Sequence, residues 1–418
     1  MAQVRGMIAA GILPGKTMKS VLAALAAAAL ISAPAWSQDD PLPQSVARPY
    51  LDYEVALEAG DGPAAMAAAR QAWQAAERAR IDRSLLGILA ANYGDVAYAE
   101  GEYEAADEAW LEAARIGDND PHTDAVERSR RWYMAGLSAF ADDNRGRARN
   151  FAGRAADRVE AADVPVPANL RAEIYFLYTR AAVSTGAWWR LESSAGNAIA
   201  AFEELGADAN AMYAYCYYML GLSRYFWGER EDSVMPFHMA GSMYASLGER
   251  FRGDAQSSAY WFSLVTNGYD DAQKADLHAR IAATAYPEML SRTFGRNTDT
   301  AEHYDTDAQP VRREIPDYPR GALMANLDGV ALVRFDVNED GRTENAEVVA
   351  SAPPQIFDEA AVEAVEDWRY DPAVIDGEIV RRTGVLTEFR FSVCQETRSE
   401  CRRQAREEEQ ELLERDSH

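Results

Sequence analysis

The sequence predicts a multidomain chain in which an all-α solenoid of helical hairpins precedes a small α+β domain, a three-stranded antiparallel sheet with one helix. Three observations carry this. Turn signals recur near positions 60, 101, 143, 186, 228 and 268, about 42 residues apart, and a fixed period of that size marks hairpins that bury their apolar faces only by stacking on one another. After a polar interval around residue 300, the hydrophobic period switches from helical to strand-like. Asp340-Gly341 then separates two apolar runs, the sequence of a tight hairpin turn, because glycine tolerates the positive φ such a turn demands.

Residues 1–37 read as an export signal. Lys19 precedes an apolar run from Val21 to Ile31, and the small residues that follow suit cleavage after Ala35 or Ser37. Met18 is an alternative start. The apolar run is shorter than the roughly 20 residues a spanning helix needs, and the alternative to cleavage is an uncleaved anchor. Over the 418 residues 48% are apolar, enough for ordinary cores in two or three domains. With 42 basic against 67 acidic residues, the net charge of −25 argues against nucleic acid as a partner, since phosphate-backbone binding needs a basic footprint. Of the three cysteines, Cys216 lies among tyrosines and reads as a small buried hydrophobe, whereas Cys394 and Cys401 can close a small disulfide loop in an oxidising compartment.

Residues 38–292 carry the repeat, and its clearest copy runs through Gly94, Gly101, Ala106, Trp110 and Ala113. The small residue lets two helices approach, Gly101 ends the first, and the last three lay one apolar stripe along the second. The same frame fits Ala65, Ala69 and Ala72 after Gly60; Ala148, Ala152 and Ala155 after the turn at Asp142-Asp143-Asn144; and Leu191, Ala195 and Ala198 after Gly186. Further on it fits Ser233, Phe237 and Ala240 after Gly228, and Gln273 and Leu277 after Gly268. This pattern resembles the tetratricopeptide repeat. Its period exceeds the usual spacing of about 34 residues, so the helices or loops must be longer than the family norm. The resemblance implies a concave face that holds a partner peptide or protein, whose identity the residues leave open; the alternative is a plain spacer.

An acidic linker, residues 293–312, leads into a domain at 313–394. Gly329 to Val337 and Glu344 to Ala350 read as strands. Phe357, Ala361, Val365 and Trp368 recur at helical spacing, predicting a helix from Phe357 to Tyr370 that Pro372 stops. A last strand from Val385 to Val393 alternates, with Val385, Thr387, Phe389 and Phe391 on one face and Leu386, Glu388 and Arg390 on the other. Asp336 to Glu347 also satisfies a calcium-loop consensus, but that loop needs a helix on each side. A strand precedes it here and Pro353-Pro354 follows, so the stretch reads as a β-hairpin. Residues 395–418 mix Arg and Glu as a charged, exposed helical tail.

Several motifs in order, Pro316-Asp317-Tyr318-Pro319-Arg320-Gly321-Ala322, Asp340-Gly341, Phe357-Asp358-Glu359-Ala360-Ala361 and Trp368-Arg369-Tyr370-Asp371-Pro372, resemble the C-terminal domain of TonB-family energy transducers. The resemblance implies a place in the Gram-negative periplasm. It further implies that the last strand, here Val385, Leu386, Thr387, Glu388, Phe389, Arg390 and Phe391, takes up the TonB box of outer-membrane receptors by strand addition, with Tyr318 and Pro319 nearby. The alternative is an edge covered by the tail or by a second copy in a homodimer. A transducer of this family has a histidine in its N-terminal membrane helix and a long proline-rich spacer. The apolar run here has no histidine and the 17 prolines are dispersed, which favours a soluble periplasmic adaptor over a membrane-retained transducer or an envelope scaffold without a transport role.

No catalytic chemistry is expected. The five histidines are scattered without metal-ligand spacing, and no nucleophile elbow, Walker A loop or Rossmann glycine run is present. Neither a metal nor a cofactor is implied.

Overall fold

The computed structural model describes residues 42–288, 308–324, 329–352 and 356–391. The predicted export signal, most of the predicted linker, Cys394, Cys401 and the predicted helical tail lie outside them. The chain divides into two compact units, residues 1–229 and 230–418.

The first unit is built from antiparallel helical hairpins: α1 (Gln44–Ala59) with α2 (Gly62–Ala79), α3 (Arg83–Ala99) with α4 (Tyr103–Asn119), α5 (Ala125–Ala141) with α6 (Arg145–Glu160), and α7 (Ala168–Ser184) with α8 (Leu191–Glu204), followed by α9 (Ala211–Trp227). The long period has a simple cause, since α1 to α7 each run 16–18 residues. Polar caps start the helices: the side chains of Asp61, Asp82, Asp124, Asn144 and Asn210 each accept a hydrogen bond from a backbone N–H in the first turn. The turns at Gly60, Gly101, Asp143 and Gly186 adopt positive φ. Every predicted stripe residue of this unit is buried, from Ala65 through Trp110 to Ala198. Cys216 is fully buried, and burial raises its thiol pKa.

Burial raises the pKa of two carboxylates in this unit. Burial pushes the Asp107 carboxyl up to about 6 despite the Arg147 guanidinium 3.0 Å away. Burial likewise pushes Glu173, on α7, up to about 7, with the Tyr133 hydroxyl hydrogen bond pulling the other way. The folded Glu173 therefore holds its proton more tightly than the unfolded chain does, and stability falls as pH rises from about 4.5 to about 7. The loss is on the order of 3–4 kcal/mol at roughly 1.4 kcal/mol per pKa unit. Glu173→Gln is expected to flatten the pH dependence across that window and to stabilise the protein at pH 8, as read by urea unfolding; an unchanged slope would refute it.

The second unit begins with α10 (Val234–Ser246), α11 (Arg252–Thr266) and α12 (Asp271–Ala282). Ser233, Phe237, Ala240 and Leu277 are buried as the repeat frame requires; Gln273 is exposed and instead closes a capping box with Asp270. Beyond them lie β1 (Gln309–Arg312), a short helix α13 (Arg320–Met324), β2 (Gly329–Val337), β3 (Thr343–Ala352), α14 (Asp358–Glu366), β4 (Arg369–Asp371), β5 (Ala373–Ile375), β6 (Glu378–Val380) and β7 (Arg382–Phe391). The main sheet is three-stranded and antiparallel, in the order β3-β2-β7. Its inner face, Ala331, Val333, Phe335, Val337, Phe389 and Phe391, packs on Phe357, Ala361 and Val365 of the α14 region.

Two expectations need correction. Gln309–Arg312, placed in the linker by its polar surroundings, is a strand paired with β4. The helix predicted from Phe357 to Tyr370 ends at Glu366, because long-range bonds compete for its last turn. The Thr343 hydroxyl donates to the Val365 carbonyl at 2.7 Å, and the Tyr370 N–H donates to the Gly341 carbonyl at 2.9 Å. Trp368 and Tyr370 nevertheless stay in the core, so the apolar spacing was a burial signal that outlasted the helix.

Candidate partner-binding edge

The hairpin at Asp336–Glu347 organises one end of the site. Asn338 closes the turn, its side chain accepting from the Asp340 and Arg342 N–H groups at 3.0 and 2.9 Å, and Gly341 sits at φ +74°. Asp336 and Glu347, at the two ends of the calcium-loop consensus, have protein partners, as does Glu344 between them. Asp336 accepts from Asn345 at 2.8 Å, from the Gly384 N–H at 2.9 Å and from Arg381 at 3.2 Å. Burial raises the pKa of Asp336, but these hydrogen bonds outweigh it and hold the carboxyl below its usual range. Glu344 pairs with Arg381 at 3.0 Å, and Glu347 pairs with Arg334. Asp336 thus tethers the first turn of β7 to the hairpin.

β7 lies at the edge of the sheet. It bonds to β2 along one side, with Val385 opposite Phe335, Thr387 opposite Val333 and Phe389 opposite Ala331, and among the described residues no strand pairs with its other side. An edge of this kind offers a ladder of N–H and C=O groups to an extended peptide. Phe389 and Phe391 point into the core, while Leu386 is 37% exposed and Arg390 is exposed on the opposite face.

The structure brings Tyr318 to the far end of this strand. Its ring meets Phe357 and Phe391 edge-on at 5.7 and 5.9 Å, and Phe357 stacks on Phe391 at 4.4 Å. Pro319 follows at the start of α13, its carbonyl accepting from the Leu323 N–H at 2.9 Å. The segment leading to Tyr318 is pinned by the β1–β4 pair, by Trp368 Nε1 donating to the Glu314 carbonyl at 2.9 Å, and by Arg313 over the Trp368 ring at 4.9 Å. Val385, Leu386 and Thr387 belong to the other end, beside the Asp336 tether.

One contributor was not foreseen. α11 lies against β3, and its Tyr260 hydroxyl donates to Glu388 on β7 at 2.6 Å. Between those two strands, Val330 and Leu332 of β2 are only 7% and 6% exposed although they face away from α14. α14 therefore covers one face, while α11 covers the other on the β3 side and leaves Leu386 and Arg390 of β7 exposed. The one available signal was the unbroken apolar run Val330-Ala331-Leu332-Val333, which suits a strand buried on both sides better than an alternating one.

Comparison with known proteins gives this domain its family. Residues 314–393 match the family described as Gram-negative bacterial TonB protein C-terminal. Protein TonB of Pseudomonas aeruginosa is 37% identical over 78 residues, covering 19% of this chain and 23% of that one. Protein TonB of Escherichia coli K12 is 35% identical over 62 residues, covering 15% and 26%. The solution NMR structure of the Pseudomonas aeruginosa TonB CTD is matched at 33% identity and TM-score 0.20, over 22% of this chain and 93% of that one. The chain spans about a quarter of the length of the curated relatives it matches. Residues 314–393 thus form a TonB-type C-terminal domain, carried on the same chain as tetratricopeptide-like helical hairpins.

Proposed function

We propose that this chain is a non-enzymatic adaptor of the Gram-negative periplasm, exported by its N-terminal segment, whose TonB-type domain binds an envelope protein by strand addition at β7. The observation that supports this best is the edge position of β7 in a domain of that family, with Leu386 and Arg390 exposed along it. TonB-dependent outer-membrane receptors are the natural partner class, and TonB-dependent transport or its regulation the natural setting. The tetratricopeptide-like unit holds a second envelope partner. Among the described residues no helix is long and apolar enough to cross a membrane.

Hydrogen exchange tests the edge. A synthetic TonB-box peptide added to the full chain is expected to slow exchange of β7 backbone amides at least tenfold, because amides that face solvent enter a ladder. Unchanged exchange from Arg382 to Phe391 at saturating peptide would remove strand addition as the mode of binding.

A further inference from the structure

In the first unit, the leading helices of successive hairpins each carry a partly exposed aromatic ring: Tyr98 on α3, Phe140 on α5, Phe176 on α7 and Tyr215 on α9. Phe176 meets Tyr215 edge-on at 5.8 Å. One turn beyond Phe176, Arg180 lays its guanidinium over Phe140 at 4.5 Å while lying 5.8 Å from the Phe176 ring. Its charge also reaches both tyrosines: burial raises the Tyr98 and Tyr215 hydroxyl pKa values, and Arg180 opposes that rise in each. The rings and the guanidinium therefore form one surface across four helices, with Arg180 in its middle.

Arg145 also stacks on the Phe140 ring, at 4.2 Å, and Arg154 on Trp132, at 4.7 Å, so ring contact is shared with the arginines around Arg180 and the difference lies in the polar partner: Arg149 donates to Thr185 and Arg154 to Asn150. Arg145 pairs with Asp143, Arg147 with Asp107, Arg158 with Asp118 and Arg224 with Glu192. Arg180 is exposed, and among the described residues it touches rings and no carboxylate. In a chain where 67 acidic residues outnumber 42 basic ones, an arginine without an acidic neighbour is a site with a charge to satisfy. A guanidinium stacked on aromatic faces is already ordered, and its in-plane N–H fork suits a carboxylate.

We propose that this surface binds an extended segment of a partner protein carrying an Asp or Glu flanked by apolar residues. The acidic side chain pairs with Arg180, and the flanks lie on Tyr98 and Phe140 to one side and Phe176 and Tyr215 to the other. Rings on both sides of the arginine favour a carboxylate within the segment over one at a chain terminus. Three steps between helices at about 9 Å each make a track of about 27 Å, the length of about eight extended residues. The inference rests on the helical unit being a partner-holding element.

Its test uses the full chain and a set of fluorescein-labelled nonapeptides, capped at both ends. Each has a central Glu among varied aliphatic or aromatic residues and is matched by a counterpart with central Gln; a third series carries Gln at the centre and a free C-terminal carboxylate. Fluorescence anisotropy is expected to show central-Glu peptides binding at least tenfold more tightly than their Gln counterparts. Arg180→Gln should abolish that preference with the helical circular dichroism intact, and Arg190→Gln, at another exposed arginine, should preserve it. Binding with no preference for Glu, a preference that survives Arg180→Gln, or a preference for the free terminus would overturn the inference while leaving the helical unit a partner-holding element. No binding by any peptide would overturn both. The β7 exchange response to a TonB-box peptide should be unaffected by Arg180→Gln, so the two sites fail independently.

Discussion

Gly341→Ala is expected to destabilise the C-terminal sheet by about 2–5 kcal/mol, a large part of the 5–15 kcal/mol that holds a typical domain. Two costs add at this position. The residue sits at φ +74°, which costs an L side chain about 1–2 kcal/mol. A Cβ there would also lie 2.0 Å from the Tyr370 carbonyl oxygen, and that atom belongs to backbone held in place by the Tyr370 N–H bond to Gly341. Forcing the two strands of chain apart costs roughly another 1–3 kcal/mol. Gly377 provides the comparison: it sits at φ +79° with nothing within 4 Å of an added Cβ, so Gly377→Ala should cost only the backbone part. Urea unfolding of the two variants, followed by tryptophan fluorescence, reads the difference. Equal losses would show that the Tyr370 segment yields freely.

The second large effect belongs to the helical unit. Gly94 faces Trp110, which is fully buried, and a Cβ at Gly94 would stand 2.6 Å from the indole Cδ1. Gly94→Val is expected to cost about 3 kcal/mol or more, at the upper end of the overpacking range, because the indole is enclosed between helices. Gly153, inside α6, is the converse case. Its added Cβ would meet Tyr178 at 3.4 Å, an ordinary contact, and Gly153→Ala should stabilise the chain by about 0.5–1 kcal/mol through helix propensity. Thermal unfolding followed by circular dichroism checks both signs, and a Gly94→Val variant as stable as the parent would show that α3 and α4 do not need their close approach.

Much of the architecture was legible because its determinants are local. The stripe Ala106, Trp110 and Ala113 declares a buried helix face by spacing alone. Asp142-Asp143-Asn144 declares a turn between helices, and Asp340-Gly341 declares a turn whether or not the rest of the sheet is known. That turn also separates the acidic stretch from a calcium loop, since the strands beside it are visible in the alternation of Val333, Phe335 and Val337. The edge residues Val385 to Phe391 and the pair Tyr318-Pro319 were legible for a different reason: they fall in motifs whose order resembles one family, while their spacing alone says only that a strand is present.

What the sequence by itself determined was therefore the set of elements, their turns and the faces they bury, all set by interactions among residues a few positions apart. The tertiary structure alone decided where competing long-range bonds end those elements and what neighbours each exposed group meets. Helix α14 stops at Glu366 because Thr343 and Gly341 take the groups that another turn would use. β7 receives a hydrogen bond from α11, which lies on β3, because Tyr260, 128 positions away in sequence, reaches Glu388. Arg180 stacks on rings as Arg145 and Arg154 do, but those two also hydrogen-bond or pair with Asp143 and Asn150, whereas Arg180 lies exposed against Phe140 and Phe176. Spacing along a chain records which face a side chain occupies; the chemistry opposite that face is chosen when distant segments pack.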